Sequence, residues 1–223
     1  MDYIKKSSEN IQKEHLSLFD KAVFILQPFT EDIDITSVLK KIEASVPSNI
    51  LKNVEVLYVA DFNKLKGFDT SFNALYKDGA IYISNDQDNE VDLLDDILHE
   101  VAHSLEKNYY DMIFDDGKLE TEFLSKRKAL YYLVDKPTLD MLLYLNPEYD
   151  KNFDSHLYQD LGYDYLRNIA YGVFYSPYAV TSLREYWANG FENYLLGDKE
   201  RLKDLSPVLY DKISQIFEDN EEY

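Results

Sequence analysis

The chain has 223 residues, 45% of them hydrophobic and 15% aromatic, which is enough for a substantial core and excludes a disordered tail. Its formal net charge of −19, with no lysine or arginine stripe to offset it, argues against nucleic-acid binding, because such a surface repels phosphate. Cysteine is absent, so disulfides and thiolate ligands are excluded, and a metal would have to be held by His, Asp or Glu.

At the N-terminus, "MDYIKKSSENIQKEHLSLFD" has Lys5 and Lys6 but no apolar core behind them, so no secretory signal is read there. A cytoplasmic location is expected, with a secreted mature form left open. No apolar run approaches the ~18 residues of a membrane span, so no membrane partner is expected. "NIQKEHLSLFDKAVFIL" reads as an amphipathic helix and "ITSVLKKIEASV" as a second, ended by Pro47. The pattern then changes. "VEVLYVA" (54–60) is short and β-branched, hence a strand, and "ALYKDGAIYIS" (74–84) reads as two strands around an Asp78-Gly79 turn. From residue 88 the chain reads as helical nearly to its end, with Pro137 near a helix start. "SKRK" (125–128), the densest basic run, is expected on a solvated helix face. With 7 glycines, 6 prolines and no linker or repeat, one domain over 1–223 is expected, with a sheet-bearing lobe at 1–110 and a helical lobe at 111–223.

The most specific feature is "HEVAH". Within "DNEVDLLDDILHEVAHSLEKNYY", Val91, Leu94, Leu98, Ala102, Leu105 and Tyr109 recur at helical spacing and form one apolar stripe. His99 and His103 lie roughly 130° from that stripe, on one face and one turn apart, so two imidazoles can meet one tetrahedral ion. Glu100 falls beside them, placed to reach a metal-bound water rather than to join the coordination shell. That is the logic of H-E-x-x-H, and the metal it implies is zinc. His15 and His156 have no partner at ligand spacing and are expected to be structural or exposed.

A catalytic zinc needs a third protein ligand and an open position. "HSLEKNYYD" lacks a third histidine, so the ligand should be a carboxylate, and two compete. Glu122, in "KLETEFLSKRKAL", follows His103 after 18 intervening residues, a spacing familiar from aminopeptidase-like gluzincins. It also stands at i, i+4 to Lys126, which fits a surface ion pair. Glu185, in "YSPYAVTSLREYWANGFENYLLGD", stands in a Ser182-x-x-Glu185 capping box, where a glutamate merely satisfies a helix amide.

Around Glu185 the sequence resembles the anthrax lethal factor-like metallopeptidases, the group that includes the Pro-Pro endopeptidases. "EYWANGF" begins at Glu185 and Tyr178 stands seven residues ahead, matching that family's metal-binding glutamate and tyrosine. With "HEVAH" the resemblance covers roughly residues 75–217. The gap from His103 to Glu185 is longer than the family pattern, and Asn189 stands where an acidic residue is common there. The resemblance implies His99, His103 and Glu185 as zinc ligands, Glu100 as general base and Tyr178 as a hydrogen-bond donor to the developing oxyanion.

The resulting expectation is an α+β, zincin-like fold, with a small mixed or antiparallel sheet whose edge strand "AIYIS" lies over the helix of His99 and His103. A helical lobe supplies Glu185. The edge strand would hold an extended peptide by β-augmentation, and the expected function is a zinc endopeptidase acting on a peptide or protein substrate. The alternatives are an aminopeptidase-like gluzincin using Glu122, or a binding or assembly protein that keeps the fold without turnover. Nothing in the sequence fixes an oligomeric state.

Overall fold

A computed structural model of the chain describes residues 16–64, 72–135 and 138–221. It opens on a hairpin, β1 (Leu16–Leu18) and β2 (Lys21–Ile25), where the sequence pattern predicts a helix over 10–26. Residues 10–15 of that expected helix, including His15, lie outside the described residues. The rest is strand because Leu18 and Val23 turn inward while Ser17 and Ala22 face out, an alternation that short apolar runs share with a helix stripe. Tertiary pairing decides between them: Ala22 to Ile25 run parallel to Val56 to Val59.

Helix α1 (Ile35–Ser45) forms where expected. Asp34 caps it by accepting from the Ser37 N–H at 3.1 Å, and Ile35, Val38, Leu39 and Ile42 bury its apolar face. Strands β3 (Val56–Ala60), β4 (Ala74–Lys77) and β5 (Ala80–Ser84) complete a mixed five-stranded sheet in the order β1-β2-β3-β5-β4. β3 runs parallel to β2 and β5, while the two outer pairs are antiparallel. The expected tight turn joins β4 to β5, with Asp78 at φ 50° and Gly79 at φ 84°. Positive φ at both central residues matches the right-handed twist of the strands, and glycine takes it without a steric penalty.

The expected edge strand is corrected. "AIYIS" (β5) is internal, hydrogen-bonded to β3 and β4, and the edge belongs to β4. Sequence could not tell them apart, since both run as short apolar strands. Across the sheet, Val23, Leu57 and Ile81 are buried, whereas Phe24, Tyr58 and Tyr82 stack on the opposite face at centroid distances of 5.7 and 5.4 Å.

Helix α2 (Glu90–Glu106) starts at Asn89, whose side chain accepts from the Val91 and Asp92 N–H groups. Its buried face is wider than the expected stripe. Leu93, Ile97 and Val101 join Leu94, Leu98, Ala102 and Leu105, whereas Val91 is exposed. The remaining α-helices among the described residues are α3 (Lys118–Leu133), α4 (Met141–Tyr144), α5 (Lys151–Ser155), α6 (Tyr163–Ala170), α7 (Leu183–Leu196), α8 (Lys199–Leu205) and α9 (Pro207–Glu221). Pro137 lies outside the described residues. No helix among the described residues is long and apolar enough to cross a membrane.

The basic run on α3 is solvated only in part: Ser125 and Lys128 are exposed, whereas Lys126 and Arg127 turn inward. Arg127 is 1% exposed, donates to the Asn146 carbonyl and lies 3.8 Å from the Phe153 ring centroid. Lys126 donates to the Val173 and Leu205 carbonyls. Both cations meet carbonyls just after or at helix ends, where the helix dipole is negative. Burial lowers the Lys126 pKa to about 8, opposed by the Glu122 charge.

Helix α7 packs directly on α2, and the Trp187 indole N–H donates to the Ala102 carbonyl at 3.1 Å. On its other side, Gly190 admits the buried Leu209 of α9. A Cβ at Gly190 would stand 2.3 Å from Leu209 Cδ2 and 2.7 Å from its Cγ. Gly190→Ala is therefore expected to destabilise the fold by about 1–3 kcal/mol, the usual scale of overpacking. Urea unfolding measures this, and an unchanged midpoint would contradict the packing described.

Candidate metal centre

Two helices build the site. α2 contributes His99, Glu100 and His103, and α7 contributes Glu185 from its first turn. Half of the expected capping box forms: Ser182 Oγ accepts from the Glu185 N–H at 3.2 Å. The Glu185 carboxylate does not complete the box. It turns to the histidines, with Oε2 at 2.9 Å from His99 Nε2 and 3.7 Å from His103 Nε2.

These distances test whether the group suits a metal. Two ligands each ~2.1 Å from one tetrahedral ion lie ~3.4 Å apart, and 2.9 and 3.7 Å bracket that value. The other ring nitrogens are spoken for. His103 Nδ1 meets Glu106 Oε1 at 2.6 Å, and His99 Nδ1 faces Glu192 Oε2 at 3.6 Å, an ion-pair distance. Carboxylates at both Nδ1 atoms favour a proton there and leave each Nε2 for the metal, the arrangement that commonly supports histidine ligands. The residues fit a divalent cation.

His99, Glu100 and His103 also each place a ligand atom within 4.8 Å of the others. Glu100 is nonetheless the weaker third ligand, because its Oε2 already accepts from the Tyr76 N–H of β4 at 2.5 Å. Glu122 is remote in function. Its carboxylate accepts from Tyr186 Oη at 2.8 Å and from the Val208 and Leu209 N–H groups at 2.8 and 3.2 Å, so it caps the start of α9. His156 is buried and structural, held by Asp160 at 2.9 Å and facing Tyr144 Oη at 3.3 Å.

Tyr178 lies on a short 3₁₀ turn ahead of α7, its ring 5.8 Å from that of His99. Although 36% of its surface is exposed, desolvation of its hydroxyl and the Glu185 charge push its pKa far above the ordinary tyrosine value. It therefore stays a protonated donor. Together these side chains line an open cleft of about 570 Å³, bounded on one side by Ala74, Leu75 and Tyr76 of β4.

Sequence reasoning missed three residues here. Glu106 and Glu192 support the histidines, and Arg184 donates through Nε to Glu106 Oε2 at 2.6 Å. Asn189 has no hydrogen bond to a histidine among the described residues. It accepts from Ser176 Oγ at 3.0 Å and reaches Glu192 Oε2 at 3.5 Å, so it steadies the carboxylate that faces His99. Glu106 alone carried a signal, since i, i+3 from His103 puts it on the same helix face.

The charges around the two histidines set their protonation. Burial lowers the His99 pKa, but the Glu185 and Glu192 carboxylates outweigh it and raise it to about 10. For His103, burial is outweighed by Glu106 and Glu185, giving about 9. Burial would raise the Glu185 pKa, yet the two imidazoles hold it well below the usual carboxylate range. Further along α2, burial and the neighbouring acids, Glu192 first, push Asp95 up to about 7.

No family model, no curated protein and no solved structure matches this chain.

Two predictions follow from the geometry. Glu185→Ala should strip zinc or greatly weaken its binding, and Glu106→Gln should weaken it ~10–100-fold, the scale of losing a carboxylate behind a histidine ligand. Glu122→Ala should lower stability and leave the zinc content of the folded protein unchanged. Metal analysis of the purified variants measures all three, and zinc lost from Glu122→Ala but kept by Glu185→Ala would reverse the assignment. Because both histidines hold protons at neutral pH, zinc binding there should release about two of them, and affinity should rise with pH toward about 10, less steeply above about 9. Calorimetry in buffers of different ionisation enthalpy reads the release; none at pH 7 would contradict the described charge state.

Proposed function

We propose that this chain is a zinc-dependent endopeptidase. The observation that carries the reading is the approach of His99 Nε2, His103 Nε2 and Glu185 Oε2 to one another beside an open cleft. The resemblance of "HEVAH", Tyr178 and "EYWANGF" to the lethal factor-like metallopeptidases supports the same set of residues. The occupation of Glu122 at the start of α9 weighs against the aminopeptidase-like alternative.

Zinc held by His99, His103 and Glu185 would supply a Lewis acid and a water acidified to a pKa of ~7. The protein's own groups do the rest. On β4, Leu75 and Lys77 pair toward β5, which leaves the backbone groups of Ala74 and the Tyr76 carbonyl on the open edge, the Tyr76 N–H being taken by Glu100. An extended peptide added there runs along the cleft. Glu100 is pinned through Oε2 by the Tyr76 N–H, and its Oε1 has no hydrogen-bond partner among the described residues. Oε1 takes a proton from the attacking water and delivers it to the leaving amine nitrogen. Burial raises the Glu100 pKa, opposed by the charges of His103 and His99. Tyr178 Oη donates to the carbonyl oxygen as negative charge builds there.

Glu100→Gln keeps the shape of the site and removes the base. It should bind zinc like the native chain and cleave a peptide library ~10²–10⁴-fold more slowly. Tyr178→Phe should lower kcat ~10²–10³-fold with little change in KM, since the hydroxyl acts only as charge develops. Zinc bound by the native chain with no cleavage of the library would sink the peptidase reading and leave a metal-holding binding module.

A further inference from the structure

We infer that Arg184 is a carboxylate anchor in the cleft, selecting substrates that carry a negative charge close to the cleaved bond; this rests on the endopeptidase reading. Arg184 occupies the first turn of α7, directly before Glu185. Its side chain is 61% exposed and lines the same cleft as His99 and His103. It is the one Lys or Arg among the described residues that line it.

The guanidinium is positioned but not used up. Nε donates to Glu106 Oε2 at 2.6 Å, while Glu106 Oε1 meets His103 Nδ1 at 2.6 Å. That bond fixes where the guanidinium stands. Neither Nη has a hydrogen-bond or ion-pair partner among the described residues. Two parallel donors held in a plane match the two oxygens of a carboxylate, and the tether at Nε reduces the freedom lost on binding. Arg127 shows the contrasting structural arginine: it is 1% exposed and stacked on Phe153.

The cleft also sets the direction. Along α2 on the far side of His99 it is walled by Asp92, Asp95 and Asp96, with Glu192 from α7. A substrate carboxylate is repelled from that end and drawn to Arg184. The relay from His103 to the guanidinium is one carboxylate long. Arg184 also directly precedes Glu185 in the chain, so the anchored charge lies a few residues from the reacting carbonyl, at ~3.3 Å per extended residue. A Glu or Asp side chain and a free C-terminus share this chemistry, and the experiment distinguishes them.

Zinc-loaded native chain and Arg184→Gln are given acetylated peptides in matched pairs. Each position within three residues of the cleaved bond carries Glu or Gln, and the C-terminus is free or amidated. The ratio of kcat/KM for the charged over the neutral member is read within each enzyme, so any general loss of activity cancels. The native chain should prefer the charged member about tenfold or more, the scale of a charge-assisted pair. The preference should appear at one side-chain position or at the C-terminus, which identifies the source, and fall to about one in Arg184→Gln. A ratio near one in the native chain, or an equal preference in both enzymes, overturns the anchor. The same pairs are titrated by calorimetry into Glu100→Gln with Arg184 present or replaced, where affinity is read without turnover. Tighter binding of the charged member that depends on Arg184, with no cleavage in any enzyme, rejects the peptidase and keeps the anchor. Cleavage without a charge preference rejects the anchor and keeps the peptidase.

Discussion

The apposition of α2 and α7 is the constraint on which the rest depends. His99 and Glu185 are 86 positions apart in the chain, yet Nε2 and Oε2 stand 2.9 Å apart. Neither helix could hold that geometry alone. Trp187 ties α7 to the Ala102 carbonyl of α2, Ser182 caps the turn that carries Glu185, and Gly190 lets α9 close behind. Even Glu122, a competitor for the metal by spacing, serves this packing by capping α9. A displacement of ~1 Å between the two helices would carry the Glu185 carboxylate away from both histidines, which stay together on α2.

Electrostatics gives the apposition its chemical character. Glu100 and Glu106 are buried, and Glu185 is nearly so, in a chain whose net charge is already −19. Buried carboxylates are tolerated only when paired or hydrogen-bonded. Here the pairing falls to two imidazoles, Arg184 and one backbone N–H from the sheet edge. The histidines accordingly hold their protons to about pH 10 and 9. In our account a divalent cation takes over the role of those protons. It would then stabilise the folded state by mass action, since the ligands meet only when α2 and α7 are docked. Fold and proposed function share one set of contacts.

Much of this was legible in the sequence because it is local. The spacing of "HEVAH" on a helix, the Asp78-Gly79 turn and the strand character of "VEVLYVA" depend on neighbours a few positions away. Glu185 was reached by resemblance, not by spacing, since its own surroundings read equally well as a cap. What escaped was decided by distant partners. Residues 16–25 form a hairpin because β2 pairs with β3 and β1 with β2, and β4 is the edge because β5 is taken by β3. Lys126 and Arg127 turn inward because carbonyls of distant segments await them. Glu192 and Arg184 gain their roles only when α7 docks, and no periodicity records that.

The most direct test of the central claim is the location of zinc by anomalous scattering in crystals of the zinc-loaded chain. The account predicts one strong peak per chain, bonded to His99 Nε2, His103 Nε2 and a Glu185 oxygen, with Glu106 and Glu192 on the far side of the rings. A peak elsewhere, a peak ligated through Nδ1 or by Glu122, or no peak at saturating zinc would contradict it.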